Sequence, residues 1–406
     1  MTTAMRPFSS TISLAEAQAI VADAARPVDR RETLDLFDAT GRVLTTRVTA
    51  GHDVPSFDRS AMDGYAVRAA DTEGAAPDRP ARLTPVGASY TGHAPGGAPI
   101  AAGQCREIAT GAPLPPGADA VVMVEDTEPD DEAVAVRREA RPGQHVVSAG
   151  SDVRAGQLVA AAGDLLTPAR IGAVAAVGIA AVEVYARPIV AIVSTGNEVV
   201  PPGTALAPGQ VHDINRYTLS AVVWEHGGVP RIQPTAPDAL DELRGAFAAV
   251  AEADVIVFSG GSSVGTRDLV QDLIREHGEM LFHGVAIKPG KPTAFARAGR
   301  ALIFGMPGNP ASCLSNAYVL LAPLLRRMAR LPARVARTVT ARLASDVRST
   351  PDRHQFFTVT LVDGRAEPAF KGSGDITSLS RADGFIEIPV GVDRVAAGTT
   401  VEVTLY

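Results

Sequence analysis

Lysine is nearly absent from this chain of 406 residues: of its 38 basic side chains, only Lys288, Lys291 and Lys371 are not arginine. Cysteine is as scarce. Cys105 and Cys313 stand far apart and outside any CxxC pair, which argues against a disulfide framework or a structural zinc site and fits a reduced, cytoplasmic protein. The opening MTTAMRPFSSTIS lacks the apolar core of a signal peptide. No run is long and apolar enough to span a membrane. The most apolar stretch, residues 171–186, is short, rich in Ala and Gly, carries Glu183 and ends at Arg187-Pro188, so it reads as a buried helix plus a strand. Positive charge is also lacking overall. A formal charge of −7 argues against nucleic acid or anionic membrane as the partner, so any anion must be caught by local donors. The eight histidines are scattered without ligand spacing, and neither GxxxxGK[ST] nor GxGxxG occurs.

What is present is ample core material, 46% hydrophobic residues, enough for more than one core, and the length of 406 residues predicts two to four domains. Ser13-Leu-Ala-Glu16 is a capping-box pattern opening an Ala-rich amphipathic helix to Ala25. Residues 51–142, dense in Gly, Pro and short β-branched runs, read as a small β-rich domain. Within it the Asp63-Gly64 pair suggests a hairpin turn. Thr167-Pro168 starts another helix, with Thr as N-cap and Pro at the first position.

From Pro188 the pattern changes to strand–helix alternation. Strands are predicted at 189–194, 255–259, 280–287 and 301–304, with helices at 215–225, 239–251, 267–276 and 310–330. Short apolar strands between helices predict a mostly parallel, doubly wound sheet with helices on both faces. The last 75 residues return to alternating short strands and predict a C-terminal β domain.

Ligands of open parallel sheets bind beyond the carboxyl ends of the strands. Three loops fall there: Ser194-Thr-Gly-Asn-Glu198, Ser259-Gly260-Gly261-Ser262-Ser-Val-Gly-Thr-Arg-Asp268, and Gly305-Met-Pro307-Gly-Asn-Pro310. Glycines let backbone approach a ligand, and N–H groups at the following helix starts favour anions. One such loop is weak evidence, but three on one edge beside IKPGKP predict a phosphate or oxyanion site. There the compact ammonium groups of Lys288 and Lys291 do what arginine does not. Glu198, Asp213, Asp238 and Asp268 fall in or beside these loops, and for Asp238 an N-cap role is as good a reading. Carboxylates beside an anion site suggest a metal-assisted phosphoanhydride reaction.

SFDRSAMDGYAV, TGAPLPPGADAVV, STGNE, SGGSSVG with Asp268, AIKPGKP, GMPGNPAS and GSGDITSLSRADGFIEIP occur in the order found in the MoeA/gephyrin family of molybdopterin molybdenumtransferases. The resemblance runs from about residue 12 to the C-terminus. It implies an α/β multidomain chain: an extended domain from 1–50 and 143–186, an inserted β-rich domain at 51–142, a central doubly wound molybdopterin-binding α/β domain at 187–331, and a C-terminal β domain at 332–406. The activity it implies is insertion of molybdate into adenylylated molybdopterin, with release of AMP, assisted by Mg²⁺. It further implies a homodimer with the active site at the subunit interface, and contact with the molybdopterin adenylyltransferase.

Carried onto this chain, the resemblance makes Asp268, Lys288, Lys291 and Glu198 catalytic. Asp268, Glu198 and Asp238 become the metal-holding acids. Asp58, Asp63, Thr110, Arg141, Asp152, Ser259, Gly260, Gly261, Pro307 and Pro310 bind substrate. Asn197 departs from the usual Asp of the family, and Ser262 stands where Val is common. Two rival readings are adenylylation of molybdopterin, by the same kind of α/β domain, and a non-catalytic scaffold. The residues do not separate molybdate from tungstate.

Overall fold

The computed structural model describes residues 11–94, 97–260 and 269–406, which fall into two compact units. The first comprises the chain up to Glu32 together with Tyr185–Tyr406, and the second Thr33–Val184.

At the centre of the first unit lies a six-stranded sheet in the order Val229–Ile232, Ile189–Ser194, Val255–Ser259, Ala301–Met306, Ala294–Ala298, Glu279–His283. The first four strands are parallel and the Ala294–Ala298 strand is antiparallel to its neighbours on both sides. Alternate residues feed two separate cores, as the period of a strand requires. Val190, Ile192, Val255, Val257 and Phe304 point into one; Ala191, Val193, Ile256, Phe258 and Ile303 point into the other. Both faces are therefore covered, in agreement with the near-continuous apolar runs of these strands.

The N-terminal helix Leu14–Ala24 buries Ala17, Val21 and Ala24 in the first of these cores. Its capping box is complete. Ser13 Oγ accepts from the Glu16 backbone at 3.2 Å, and the Glu16 carboxylate accepts from the Ser13 backbone at 2.8 Å. The predicted 310–330 helix is instead Pro310–Asn316 and Ala322–Met328 joined by a π-helical turn at Ala317–Leu321. Pro323 explains the interruption, since it has no N–H to give the Val319 carbonyl. Gln18 Nε2 donates to that carbonyl from the N-terminal helix at 3.4 Å.

The predicted 280–287 strand is also divided. Glu279–His283 belongs to the central sheet, whereas Ile287–Lys288 leaves it at Gly284 and pairs in parallel with His354–Gln355. That partner strand, His354–Val362, closes a barrel with Arg365–Pro368, Thr338–Leu343, Thr400–Leu405 and Gly384–Ile388. Its interior holds Phe357, Val359, Ala366, Ile386 and Val403.

The second unit carries a six-stranded sheet in the order Ala120–Met123, Gly64–Val67, Gln104–Ile108, Ala81–Ser89, Ala133–Val136, Thr127–Asp130. Asp63-Gly64 is not a hairpin turn: Gly64 opens a strand, and a Cβ there would lie 1.9 Å from the Val122 carbonyl oxygen. A second core in this unit joins Leu44, Val48, Leu166, Val174 and Val184. It includes the helix Pro168–Ala176, whose N-cap is Thr167. No helix among the described residues is long and apolar enough to cross a membrane.

Candidate active site

Three parallel strands of the first unit end level with one another: Ser194 pairs with Ser259, and Ser259 with Met306. The chain leaves each at the same height, so the loops after them surround one cleft of about 600 Å³. Glu198, Asp213, Asn215, Asp238, Ser259, Gly260, Pro307 and Pro310 line it, with Gly374 from the C-terminal segment. Gly260 cannot be replaced without movement. Its φ is +102°, and a Cβ would stand 2.6 Å from the Thr195 carbonyl oxygen.

Asn215, at the start of the Asn215–Glu225 helix, ties the floor together. Its Nδ2 donates to Ser259 Oγ at 2.7 Å and to the Gly308 carbonyl at 2.8 Å. Its Oδ1, Ser194 Oγ and Thr195 Oγ1 are buried at the cleft without a hydrogen-bond partner among the described residues. Buried polar atoms are seldom left so, because desolvation is then uncompensated. Ser194 and Thr195 belong to a loop the sequence points to, whereas Asn215 does not stand out there, since a buried Asn carries no spacing signal.

The acids divide by role. Asp213 is structural: it caps the helix through the Arg216 backbone at 3.1 Å and pairs with the Arg216 guanidinium at 2.5 Å. Glu198 and Asp238 both face the cleft without a salt bridge to any described residue. Burial first, and then the neighbouring Glu198 charge, raise the Asp238 carboxyl above the ordinary carboxylate range, against a hydrogen bond from the Asn197 backbone. Asn197 itself serves the turn. Its Oδ1 accepts from the Asp238 backbone at 3.2 Å, so replacing the family's usual Asp keeps a carbonyl acceptor there and adds no third charge. Asp268, Gly261 and Ser262 lie outside the described residues.

Lys288 and Lys291 do not line this cleft, although Pro292 beside them does. Lys288 Nζ donates to Thr350 Oγ1 at 2.9 Å. The lysine loop is held from beneath by Asn316, which is fully buried. Its Nδ2 donates to the Gly290 carbonyl at 2.8 Å and to Thr293 Oγ1, which in turn donates to Gly290 at 2.9 Å. The Pro310 helix start, expected as an open anion site, is partly occupied: the Ala311 N–H donates to the Ser373 carbonyl at 3.1 Å. Asn309 Nδ2 bonds Ser373 Oγ at the same distance, 3.1 Å, docking the GSGD segment on this loop.

In the second unit, the residues singled out in the sequence are all exposed. Asp63 accepts from Thr110 twice, from its backbone N–H at 2.6 Å and its hydroxyl at 2.9 Å, and these bonds hold its carboxyl below the ordinary range. Asp58 accepts from the Ala149 backbone at 2.7 Å. The segment between them is flanked on one side by Val146–Val147 and on the other by Gly111 and Ala112. Asp58, Asp63 and Thr110 therefore share one edge. Arg141 opens the turn that Gln144 closes, and the Asp152 N–H donates to the Val54 carbonyl at 3.1 Å.

No group of three His, Cys, Asp or Glu side chains among the described residues is placed to hold a metal. A hard cation needs fewer when substrate phosphates complete its shell, and the Glu198–Asp238 pair suits that case.

Comparison with known proteins gives a consistent result along the whole chain. Residues 12–178 match the MoeA N-terminal region (domain I and II), 191–327 a probable molybdopterin binding domain, and 340–406 the MoeA C-terminal region (domain IV). A Mycobacterium tuberculosis protein named molybdopterin molybdenumtransferase 2 is 37% identical, covering 96% of this chain and 98% of the relative. The molybdopterin molybdenumtransferase of Nostoc sp. is 32% identical over 98% of this chain and 94% of the relative. Among solved structures, the molybdopterin biosynthesis MoeA protein of Pyrococcus horikosii superposes with a TM-score of 0.81 at 38% identity, covering 98% of this chain and 99% of that one.

Proposed function

The chain belongs to the MoeA family of molybdopterin molybdenumtransferases, and on that premise we propose that its cleft inserts molybdate into adenylylated molybdopterin with release of AMP. It is a transferase of molybdenum cofactor biosynthesis. One observation carries the finer reading. The carboxylates Glu198 and Asp238, the Gly260 backbone and three polar atoms without a partner among the described residues meet at the level ends of three parallel strands.

In this reading Ser194 Oγ, Thr195 Oγ1 and Asn215 Oδ1 receive the neutral, hydrogen-bonding part of the substrate, because they are uncharged and have no partner among the described residues. Lys288 and Lys291, on the loop that reaches the cleft through Pro292, turn toward the bound substrate to hold molybdate or the anhydride oxygens, and Pro307 and Pro310 shape the loop on that side. Glu198 and Asp238, joined by Asp268, hold Mg²⁺. When bound, that cation supplies positive charge to the pyrophosphate bond that breaks. Ser259, Gly260 and Gly261 bring backbone close to the substrate.

Asp58, Asp63, Thr110, Arg141 and Asp152 complete the site from a second subunit of a homodimer. The reaction belongs to the cytoplasm, with substrate handed over by the molybdopterin adenylyltransferase.

The test is AMP release from adenylylated molybdopterin, measured with and without molybdate and Mg²⁺. Release that needs both establishes insertion. Bound ligand without release in the presence of both would overturn it in favour of a scaffold.

A further inference from the structure

A second cavity, of about 780 Å³, lies in the first unit between the Ala322–Met328 helix and the C-terminal barrel. It shares no lining residue with the cleft. Its walls are largely apolar and aromatic: Val319, Ala322, Phe385, Leu405 and the rings of Tyr318 and Tyr406. Tyr406 stands 6.1 Å from Tyr318 and 5.7 Å from Phe385, centroid to centroid, so the rings present a broad aromatic surface.

The rim has the opposite character. Arg326, Arg327, Arg330 and Arg334 all line the cavity. Arg330 is paired with Asp29, but Arg326, Arg327 and Arg334 have no acidic partner within salt-bridge distance among the described residues. Burial first, and then the neighbouring Arg334 charge, lower the Arg326 pKa from its ordinary value. Glu225 opposes this only in part; it lies 3.7 Å from His226 and accepts from the Tyr318 hydroxyl at 3.4 Å. Glu387, the carboxylate that lines the cavity itself, is engaged by His354 at 2.8 Å.

His226 is the independent sign of a ligand. Its ring lines the cavity, only 1% exposed, and neither Nδ1 nor Nε2 has a hydrogen-bond partner among the described residues. Arg326 Nε donates to the Pro332 carbonyl at 2.7 Å and Arg334 lies over the Tyr318 ring, yet neither has a carboxylate partner among the described residues. An apolar body of aromatic walls, guanidinium groups without a counter-charge and an imidazole without a hydrogen bond are complementary to one kind of occupant. We propose that this cavity binds a small planar aromatic anion, its ring between Tyr318, Phe385 and Tyr406 and its acid group against Arg326 and Arg334.

The experiment is calorimetric titration of the full chain with 2-naphthoate and with its neutral counterpart 2-naphthamide, on wild type, Arg326→Gln/Arg334→Gln, and Val319→Trp. Saturable binding of one naphthoate per chain is expected. Naphthamide, and naphthoate on the double arginine variant, should each bind about tenfold more weakly, the effect of losing a charge-assisted contact. Val319→Trp, which fills the cavity, should abolish binding, and neither variant should alter AMP release without ligand. Equal affinity for the acid and the amide would overturn the proposal, as would absence of saturable binding to wild type. So would a change in oligomeric state with Val319→Trp, which would assign the cavity to a second copy of the chain.

Discussion

Asp238 carries a charge that its surroundings resist. Because its folded value is raised, the folded state is progressively penalised as pH climbs from the ordinary carboxylate range through that raised value. Asp238→Asn should therefore unfold at a higher urea concentration than wild type at pH 7, and the gain should vanish below about pH 4, where both carry no charge. The same variant should lose most of its AMP release. Mg²⁺ should raise the unfolding midpoint of wild type more than that of the variant; an equal rise would remove Asp238 from the cation site. Asp63 has the reverse sign. Its folded value is lowered, so its contribution is present above the ordinary range and lost as pH falls through the lowered value. Asp63→Asn should flatten the acid limb of the stability profile. At this scale the sequence disclosed charged residues after strands, whose position implies a task. It did not disclose Asn215, whose importance comes from contacts 44 and 93 residues away.

Elements whose ends are written locally were legible. The helices after Ser13 and Thr167 begin where their caps are, and the strands Ile189–Ser194 and Val255–Ser259 have the predicted limits. The antiparallel Ala294–Ala298 strand and the departure of Ile287–Lys288 from the sheet were not, because their partners lie far along the chain. The π turn had a local sign in Pro323, outweighed by strong helical periodicity on both sides. The lysine loop gives this scale its prediction. Asn316→Ala removes both amide bonds to Gly290 and Thr293 from a fully buried place, at a cost of about 2 kcal/mol or more. Hydrogen exchange at residues 288–293 should quicken, and the molybdate concentration needed for half-maximal AMP release should rise. Unchanged exchange in a folded variant would show that the loop is held by something else.

For the whole molecule, the proposed assembly of the active site from two chains has a quantitative consequence. A Asp58→Ala variant and a Asp238→Asn variant, each inactive alone, should regain about a quarter of wild-type activity when refolded together in equal amounts. Half of the dimers would then be mixed, each with one of its two symmetric sites intact. No recovery despite mixed dimers would place both residues in sites built from one chain. The barrel has a consequence of another sort. Ile287–Lys288 finds its strand partner only at His354–Gln355, and the Pro310 helix start meets its cap only at Ser373. During synthesis the parallel strands and Asn316 leave the ribosome well before these partners do. The nascent α/β domain can thus bury its core while its lysine loop still lacks a strand to rest on. Completion of the loop reports that translation has passed residue 355, and a product cut short near residue 350 would have a sheet but an unfinished lysine loop.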